Sequence, residues 1–401
     1  MSKSESGRTR LSKRCISEKV RALPPSGIRK FFDLLSSMEG VISLGVGEPD
    51  FVTPWYIREA AIYSLEKGYT MYTSNKGTPE LRAELAGYLQ SRFGLTYNPD
   101  DEILITVGVS EGLDLAARAI LNPGDEVIMP DPCYVAYPAA ISLAGGTPVR
   151  VATRVENDFE VTAEDIESSI TEKTKAILIG YPCNPTGAVL PKEELIKIAE
   201  VAKEHNLLVI SDEIYCSLVY GVEHTCLAAL PGMRDRTILL NGFSKAYAMT
   251  GWRIGYAACN KKIIGAMTKI HQYTIMCAPT MAQMAALEAI KADDREVDAM
   301  VRDYDRRRRT IVKGFRGIGL PCFEPKGAFY AFPSIEVTGM TSEEFAEKLL
   351  MEEKVAVVPG SAFGNCGEGY VRCCYATSLP DIEEALKRMG RFVNKYRKNK
   401  D

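Results

Sequence analysis

The sequence has 401 residues, of which 46% are hydrophobic and 25% charged, and its formal net charge is −3. A chain of this length buries a substantial core and is expected to form two or more domains. The near-neutral charge argues against a general attraction to nucleic acid or to anionic membranes, and each long apolar run is interrupted before it reaches the length of a membrane span. We therefore expect a globular protein with no nucleic-acid partner and no membrane partner.

The amino terminus is basic, with nine Lys and Arg against two Glu in residues 1–30, and it lacks the apolar centre of a signal peptide. Residues 1–13 are predicted to form a flexible basic arm. The eleven cysteines are scattered along the chain without a Cys-x-x-Cys pair. This distribution favours free thiols in a reducing compartment over disulfides or zinc, and so predicts a cytoplasmic protein without a metal site.

In the middle of the chain, short runs rich in β-branched residues alternate with amphipathic stretches. The amphipathic stretches at 113–121 and 192–204 are predicted to be helices, and the second begins directly after Pro191. This alternation is typical of a mostly parallel sheet covered by helices. The predicted strands are 103–107, 126–129, 175–180, 207–211, 237–240 and 254–258.

After residue 280 the pattern changes to longer helices and isolated strands. The predicted elements are a charged helix at 281–315, a strand at 328–332, a helix at 342–352, a strand at 370–375 and a last helix at 380–396. We predict a smaller α+β domain formed by 14–48 and 298–401, and a large domain formed by 49–297.

Four consecutive arginines, Arg306–Arg309, resemble a nucleic-acid patch when taken alone. Asp303 and Asp305, however, precede Arg307 and Arg309 by four residues, which is the spacing of ion pairs on one helix face. A solvated helix face is therefore the prediction for this run.

Only three histidines occur, and none lies in a recognisable catalytic or metal-ligand spacing. Proton transfer in an enzyme of this sequence therefore depends on another side chain, for which a lysine of lowered pKa is a candidate. Lys245 follows a predicted apolar strand, and strand ends in such sheets are where ligands bind. With the hydroxyl of Ser244 and the guanidinium of Arg253, its amine is suited to an aldehyde cofactor that carries a phosphate. The alternative is an ordinary surface lysine.

Three further motifs follow predicted strands. Asp212 ends one strand and points toward the ligand edge of the sheet, unless it serves as a helix cap or turn former. Asn184 lies in a Pro/Gly turn, Tyr-Pro-Cys-Asn-Pro-Thr-Gly. Ser110 lies in a strand–turn–helix segment whose free amides and helix dipole suit a phosphate. The same segment also fits the Gly-x-Ser-x-Gly elbow of α/β-hydrolases, with Ser110 as nucleophile and His224 or His271 as base.

The stretch Gly-Phe-Ser-Lys-Ala-Tyr-Ala-Met-Thr-Gly-Trp-Arg closely resembles the active-site signature of the class I and II aminotransferases, which are fold type I pyridoxal-phosphate enzymes. The resemblance extends from Gly45 to Arg372 with the motifs in family order. It implies an α/β fold in which a large domain contains a mostly parallel seven-stranded sheet covered by helices, beside a smaller α+β domain. Archaeal-type aromatic and aspartate aminotransferases are the most similar group.

The resemblance also implies a role for each motif residue. Lys245 would bind pyridoxal phosphate and act as the base, and Asp212 would pair with the ring nitrogen of the cofactor. An active site shared between the subunits of a homodimer follows if Tyr72 reaches the phosphate of the neighbouring subunit. The implied cofactor contacts are completed by Val109, Ser110, Ser244 and Arg253 near the phosphate, Tyr134 stacked on the ring, and Asn184 and Tyr215 at the ring oxygen. The implied substrate contacts are Gly47, Tyr134, Asn184 and Arg372, the last as a clamp for the α-carboxylate.

The substrate side chain is less strongly indicated. Bacterial-type aspartate aminotransferases of this pattern often carry a lysine in the phosphate turn, where this chain has Ser110. We therefore expect an aminotransferase that moves an α-amino group from an aromatic or a broad range of amino acids to a 2-oxo acid such as 2-oxoglutarate. Aspartate or alanine specificity, and a pyridoxal-phosphate-dependent C–S lyase, are the alternatives.

Overall fold

The computed structural model describes residues 15–23 and 38–398, so the predicted arm at 1–13 lies outside the described residues. The strands are β1 Ile42–Ser43, β2 Ile103–Thr106, β3 Glu126–Asp131, β4 Thr147–Ala152, β5 Thr174–Ile179, β6 Leu208–Asp212, β7 Thr237–Gly242, β8 Gly255–Ala258, β9 Tyr330–Ala331, β10 Val355–Ala356, β11 Val358–Pro359 and β12 Val371–Cys374.

The α-helices are α1 Glu18–Ala22, α2 Trp55–Glu66, α3 Pro79–Phe93, α4 Gly108–Ile120, α5 Ala136–Ala144, α6 Ala163–Ser168, α7 Lys192–Glu204, α8 Lys261–Thr274, α9 Thr280–Lys291, α10 Arg295–Gly317, α11 Ser342–Glu353 and α12 Leu379–Tyr396. Within the described residues, none of them combines the length and the apolar character that crossing a membrane requires.

The large sheet has seven strands in the order β2-β8-β7-β6-β5-β3-β4. β8 is antiparallel to both of its neighbours, and the other neighbouring pairs are parallel. The predicted α/β fold with a mostly parallel seven-stranded sheet is therefore confirmed. All six strands predicted in the middle of the chain belong to this sheet, whereas those predicted at 328–332 and 370–375 correspond to β9 and β12 of a smaller sheet. The seventh strand, β4, was not predicted, because this edge strand is largely exposed and lacks a continuous apolar run.

Helices cover the sheet through apolar stripes. In α7 the buried residues Leu195, Ile198, Ala199 and Ala202 recur at helical spacing, while the charged residues point outward. Burial of a side chain such as Leu195 or Ile198 contributes about 2 kcal/mol. α4 begins five residues before its predicted start at 113, because its first turn consists of small residues that resemble a loop.

The carboxyl ends of the parallel strands meet at one edge of the sheet, and the antiparallel β8 begins at that same edge. Gly255, its first residue, pairs with Thr106 at the end of β2 and with Gly242 at the end of β7. Six segments therefore converge at this edge of the sheet: those that follow β2, β3, β5, β6 and β7, and the one that precedes β8.

Two small sheets lie apart from the large one. β1 pairs with β10 in parallel, and β11, β12 and β9 form an antiparallel sheet. The core around these sheets contains Phe315, Phe345 and Phe392. The division into domains at 48/49 and 297/298 stays a prediction.

The prediction of one continuous helix at 281–315 was wrong, because two helices, α9 and α10, occupy this region. The backbone of Ala292 is extended, with φ −72° and ψ 160°, and it ends α9. The carboxylate of Asp293 then accepts hydrogen bonds from the backbone N–H and from Nε of Arg295. A short acidic side chain that bonds nearby N–H groups competes with the helical bond pattern, and this explains the interruption.

The prediction of a solvated face at Arg306–Arg309 was also wrong for two of the four residues. The predicted pairs Arg307–Asp303 and Arg309–Asp305 are present, at 2.7 and 3.0 Å. Arg307 and Arg308, however, are buried. Burial is tolerated because both guanidinium groups are paired with carboxylates, for example Arg307 Nη1 with Asp50 at 2.8 Å.

Candidate active site

A cleft of about 580 Å³ lies at the convergent edge of the sheet. Eleven of the twelve residues predicted for the site line it, and Tyr72 is the exception. The eleven are Gly47, Val109, Ser110, Tyr134, Asn184, Asp212, Tyr215, Ser244, Lys245, Arg253 and Arg372.

Lys245 lies three residues after the end of β7 and is mostly buried. Its Nζ donates a 2.7 Å hydrogen bond to the backbone carbonyl of Gly47 and lies 5.7 Å from the ring centre of Tyr215. Burial lowers the pKa of the Lys245 amine to about 8. The neighbouring thiol of Cys374 partly opposes this decrease, and the charge of Arg372 adds to it. An amine of this kind is both a nucleophile and a base near neutral pH.

Asp212 ends β6, and its carboxylate is buried beneath the cleft. The hydroxyl of Tyr137 donates to its Oδ2 at 2.9 Å, and the backbone N–H of Ile214 donates to its Oδ1 at 3.2 Å. Burial raises the pKa of Asp212 to about 6, although both hydrogen bonds lower it. A cationic group in the cleft would stabilise the ionised form.

Tyr137 was not predicted to belong to the site. It lies three residues after Tyr134, and in the structure the two rings meet edge to face at 5.6 Å. Their spacing in Tyr-Val-Ala-Tyr is that of one helix face, a signal that places Tyr137 near Tyr134 but does not reveal its contact with Asp212.

The turn between β2 and α4 has features that suit an anion. α4 has no side-chain cap, so its first N–H groups, near Val109 and Ser110, are open toward the cleft. The guanidinium of Arg253 packs against Gly108, where a Cβ atom would approach its Nη2 to 2.5 Å, and where φ is +71°. Only glycine allows the turn and the cation to approach this closely.

A buried acid–imidazole pair supports this turn from behind. Glu111 Oε2 accepts a 2.5 Å hydrogen bond from the N–H of Val107, and Glu111 Oε1 lies 2.7 Å from Nδ1 of His271. His271 is fully buried. His224 is bonded to Glu213 at 2.8 Å. Neither histidine lines the cleft, so the hydrolase alternative lacks the base that Ser110 would need.

Arg372 is a buried cation without a carboxylate partner among the described residues. It extends from β12, where Nη1 donates to Oδ1 of Asn184 at 2.9 Å and Nη2 donates to the carbonyl of Gly45 at 2.7 Å. Its Nε is buried and has no hydrogen-bond partner in the part of the chain that the structure describes. Because an unpaired buried charge is costly, the cleft beside Arg372 is suited to an anion.

Tyr72, in contrast, is 80% exposed and lies outside the cleft. Its segment is held by hydrogen bonds from Thr280 Oγ1 to the carbonyl of Met71 at 2.8 Å and from Asn75 Nδ2 to the carbonyl of Met276 at 2.7 Å. Large apolar side chains are exposed on these segments and on α2, which is unusual for surfaces that face only water. They are Trp55, Tyr63, Tyr69, Met71, Tyr273, Ile275 and Met276.

The family model for aminotransferase class I and II matches residues 39–389. The chain belongs to the class I and II aminotransferase family. The aminotransferase is 60% identical to the protein YugH of Bacillus subtilis over 95% of this chain and 98% of YugH. It is 48% identical to an aspartate aminotransferase of Pyrococcus abyssi, over 94% of this chain and 98% of that relative.

Solved structures agree with this assignment. The aromatic aminotransferase from Pyrococcus horikoshii OT3 superposes on this aminotransferase with a TM-score of 0.87 and 45% identity, over 92% of this chain and 99% of that one. The resemblance to archaeal aromatic and aspartate aminotransferases, and the fold type I architecture, are thereby confirmed.

Proposed function

We propose that this aminotransferase uses pyridoxal 5'-phosphate held by Lys245, and that it moves the α-amino group of aromatic or a broad range of amino acids to a 2-oxo acid such as 2-oxoglutarate. One observation carries the proposal. An amine whose pKa is lowered to about 8 shares a cleft with a buried carboxylate, Asp212, and a buried guanidinium, Arg372, that has no carboxylate partner within residues 15–23 and 38–398.

The cleft residues fit the cofactor group by group. The turn at Gly108 and the guanidinium of Arg253 suit a phosphate, and the buried Asp212 suits a protonated ring nitrogen. Pyridoxal phosphate, when bound, supplies an electron sink for the charge that develops at the substrate Cα. The remaining contacts would be Val109, Ser110 and Ser244 at the phosphate, Tyr134 on the ring face, and Asn184 and Tyr215 at the ring oxygen.

The side chains of the protein would bind the substrate and accept its proton. Arg372 would bind the substrate α-carboxylate, which orients the Cα–H bond toward the amine of Lys245. Lys245 would then accept the Cα proton. Burial, which lowers the pKa of this amine to about 8, favours its neutral form and so suits it to act as a base near neutral pH.

The charged side chains in the cleft affect which substrate side chain can bind. Its lining contains three cationic side chains, Lys245, Arg253 and Arg372, and each already has a role. No further cation among the described lining residues is available for a second carboxylate, which favours an amino donor with an aromatic or other uncharged side chain. A dicarboxylate, whether aspartate as donor or 2-oxoglutarate as acceptor, would need the neighbouring subunit for its second carboxylate, whereas an aromatic donor would not. Aspartate remains the second candidate, because the Pyrococcus abyssi relative is an aspartate aminotransferase.

The protein is proposed to act as a homodimer with shared active sites. Tyr72 is exposed and does not line the cleft of its own subunit, and large apolar side chains such as Trp55 and Tyr273 are exposed as well. A second copy that covers this surface would remove the apolar side chains from water. Tyr72 would then contact the phosphate in the partner's cleft.

The cytoplasm is the proposed location. All eleven cysteines are free and eight of them are buried. Free buried thiols are typical of proteins in a reducing compartment.

A half-reaction screen tests the proposed activity. Purified protein loaded with pyridoxal phosphate is mixed with one amino acid at a time, and the cofactor absorbance is followed. Phenylalanine and tyrosine are expected to convert the cofactor to its amine form, and 2-oxoglutarate is expected to reverse the change. The Lys245→Ala protein serves as the control and should give no turnover.

Two other outcomes would replace the proposal. Release of pyruvate or ammonia without conversion of the cofactor would identify a lyase. Ester hydrolysis that is abolished by Ser110→Ala would identify a hydrolase.

A further inference from the structure

Tyr330 lies where three parts of the cleft meet, although no sequence motif assigned it a role. It belongs to β9, is fully buried apart from 1% of its surface, and pairs in register with Cys374 of β12. Its ring and its hydroxyl make separate contacts with residues of the proposed active site.

The ring of Tyr330 forms a platform for Arg372. The guanidinium carbon of Arg372 lies 4.5 Å from the ring centre, and the ring of Phe363 is 5.0 Å from the same carbon. Attraction between a cation and an aromatic face is strongest where water is excluded, as it is here. The guanidinium is thereby held with its nitrogens toward Asn184, Gly45 and the cleft.

The hydroxyl of Tyr330 connects to the other side of the cleft. Its oxygen lies 2.7 Å from the hydroxyl of Tyr215 and 3.4 Å from the carbonyl of Gly47. Tyr330 has one hydroxyl proton, which it can donate either to the hydroxyl of Tyr215 or to the carbonyl of Gly47. When Tyr330 donates to Tyr215, the proton of Tyr215 is free to be donated into the cleft, and donation along such a chain strengthens each bond.

Gly47 is shaped by the same phenol. A Cβ atom at Gly47 would lie 2.6 Å from the Tyr330 hydroxyl, so the loop approaches the ring as closely as only glycine permits. The carbonyl of Gly47 in turn accepts the hydrogen bond from Lys245 Nζ. One buried side chain therefore contacts Arg372, Tyr215 and the backbone that holds Lys245.

We propose that Tyr330 is a positioning residue that aligns the carboxylate-binding Arg372 with Tyr215 and Lys245 across the cleft. The inference rests on the proposed function and extends it, because the two halves of the side chain serve different steps. The ring determines how well a substrate carboxylate binds, and the hydroxyl determines how well Tyr215 acts.

Two variants separate these roles. Tyr330→Phe keeps the ring and removes the hydroxyl, whereas Tyr330→Leu removes both. The matched control is Tyr375→Phe, because Tyr375 is equally buried and its hydroxyl bonds the carbonyl of Ala328, away from the cleft. Circular dichroism and thermal melting confirm that each variant is folded.

Carboxylate binding is measured on the protein without cofactor, by calorimetry with 3-phenylpropanoate and succinate, which lack an amino group. The dissociation constant in Tyr330→Phe should stay within about twofold of wild type, and in Tyr330→Leu it should rise about tenfold. Steady-state turnover of the loaded protein should show kcat about tenfold lower in Tyr330→Phe with KM nearly unchanged. The pH midpoint of the cofactor absorbance should rise in Tyr330→Phe and stay unchanged in Tyr375→Phe.

Carboxylate binding by Tyr330→Leu at the wild-type level, or a wild-type kcat and absorbance midpoint in Tyr330→Phe, overturns the inference. Failure of the proposed function is distinguishable, because wild-type protein would then turn over no amino acid at all. The calorimetric comparison needs no turnover and would still decide whether the ring supports Arg372.

Discussion

The hydroxyl of Tyr137 donates a 2.9 Å hydrogen bond to the carboxylate of Asp212, and both side chains are buried beneath the cleft. Burial raises the pKa of Asp212 to about 6, and the hydrogen bond from Tyr137 opposes this rise. Asp212 is most useful to a cationic ring nitrogen when it is ionised. Tyr137 would therefore extend the pH range in which the proposed cofactor binds tightly.

Tyr137→Phe should raise the pKa of Asp212 further, since the bond that favours the carboxylate is lost. Fluorescence titration of the protein with pyridoxal phosphate between pH 5.5 and 8.5 should show the acid limit of tight binding moved to higher pH. At pH 6.5 the dissociation constant should be about tenfold above wild type, and the difference should shrink toward pH 8.5. Tyr375→Phe is the control, and an unmoved acid limit in Tyr137→Phe would contradict the assignment.

Lys245 in the cofactor-free protein should become reactive as the pH rises through about 8, because burial lowers the pKa of its amine. Competitive labelling with an amine reagent, followed by peptide mass spectrometry, measures this midpoint at residue 245. A midpoint near the usual lysine value of about 10.4 would show that the amine is not desolvated.

The same shift predicts how stability depends on pH. Between about pH 8 and pH 10.5 the unfolded chain retains a proton that folded Lys245 has lost, so this residue makes the folded protein more stable as the pH rises. Lys245→Met should remove that contribution. Urea unfolding at pH 7.5 and 9.5 measures the free energy of unfolding of both proteins. The same pH dependence in both would contradict this prediction.

Arg372→Lys should weaken substrate binding although the charge is kept. A lysine reproduces neither the planar fork toward a carboxylate nor the bonds to Asn184 and Gly45. We expect kcat/KM for the preferred amino acid to fall about 100-fold, which corresponds to the loss of a charge-assisted bidentate pair. Arg388→Lys is the control, since Arg388 bonds Glu384 and the carbonyl of Glu353, away from the cleft. Equal losses in both variants would point to folding rather than to substrate binding.

His271→Ala should lower the free energy of unfolding by about 3 kcal/mol, because Glu111 would be left as a largely buried carboxylate without its partner. His205→Ala provides the comparison. His205 is more exposed and lies 3.4 Å from Glu167, so its loss should change stability by less than about 0.5 kcal/mol. Denaturant unfolding measures both, and similar small effects would show that the buried pair is not a stabilising contact.

Mixed dimers test whether Tyr72 acts in the neighbouring subunit. Tyr72→Ala and Lys245→Ala proteins should each be nearly inactive, yet refolding them together should restore activity. Only the hybrid contains a cleft in which the Lys245 of one subunit meets the Tyr72 of the other. Sedimentation of each protein confirms assembly. A mixture that stays inactive would place Tyr72 in the cleft of its own subunit, and a Tyr72→Ala protein that is active by itself would place Tyr72 outside the site.

Much of the active site could be predicted from local patterns. Asp212, Lys245 and Ser110 each follow a short apolar run, and the carboxyl ends of parallel strands meet at one edge, so their meeting in one cleft follows from the topology. The family motifs around them supplied Asn184 and Arg372, which bond each other at 2.9 Å across 188 residues.

Other features are absent from any local pattern. Contacts of Tyr330 with Gly47 and of Tyr137 with Asp212 join residues 283 and 75 positions apart, and no periodicity encodes such pairs. The burial of Arg307 likewise depends on Asp50, which approaches α10 from a distant loop. Lys245 has one property that the sequence predicts and another that depends on the tertiary structure. Its place after a strand was evident from the sequence, whereas its lowered pKa arises from the burial and the neighbouring charges that only the folded chain assembles.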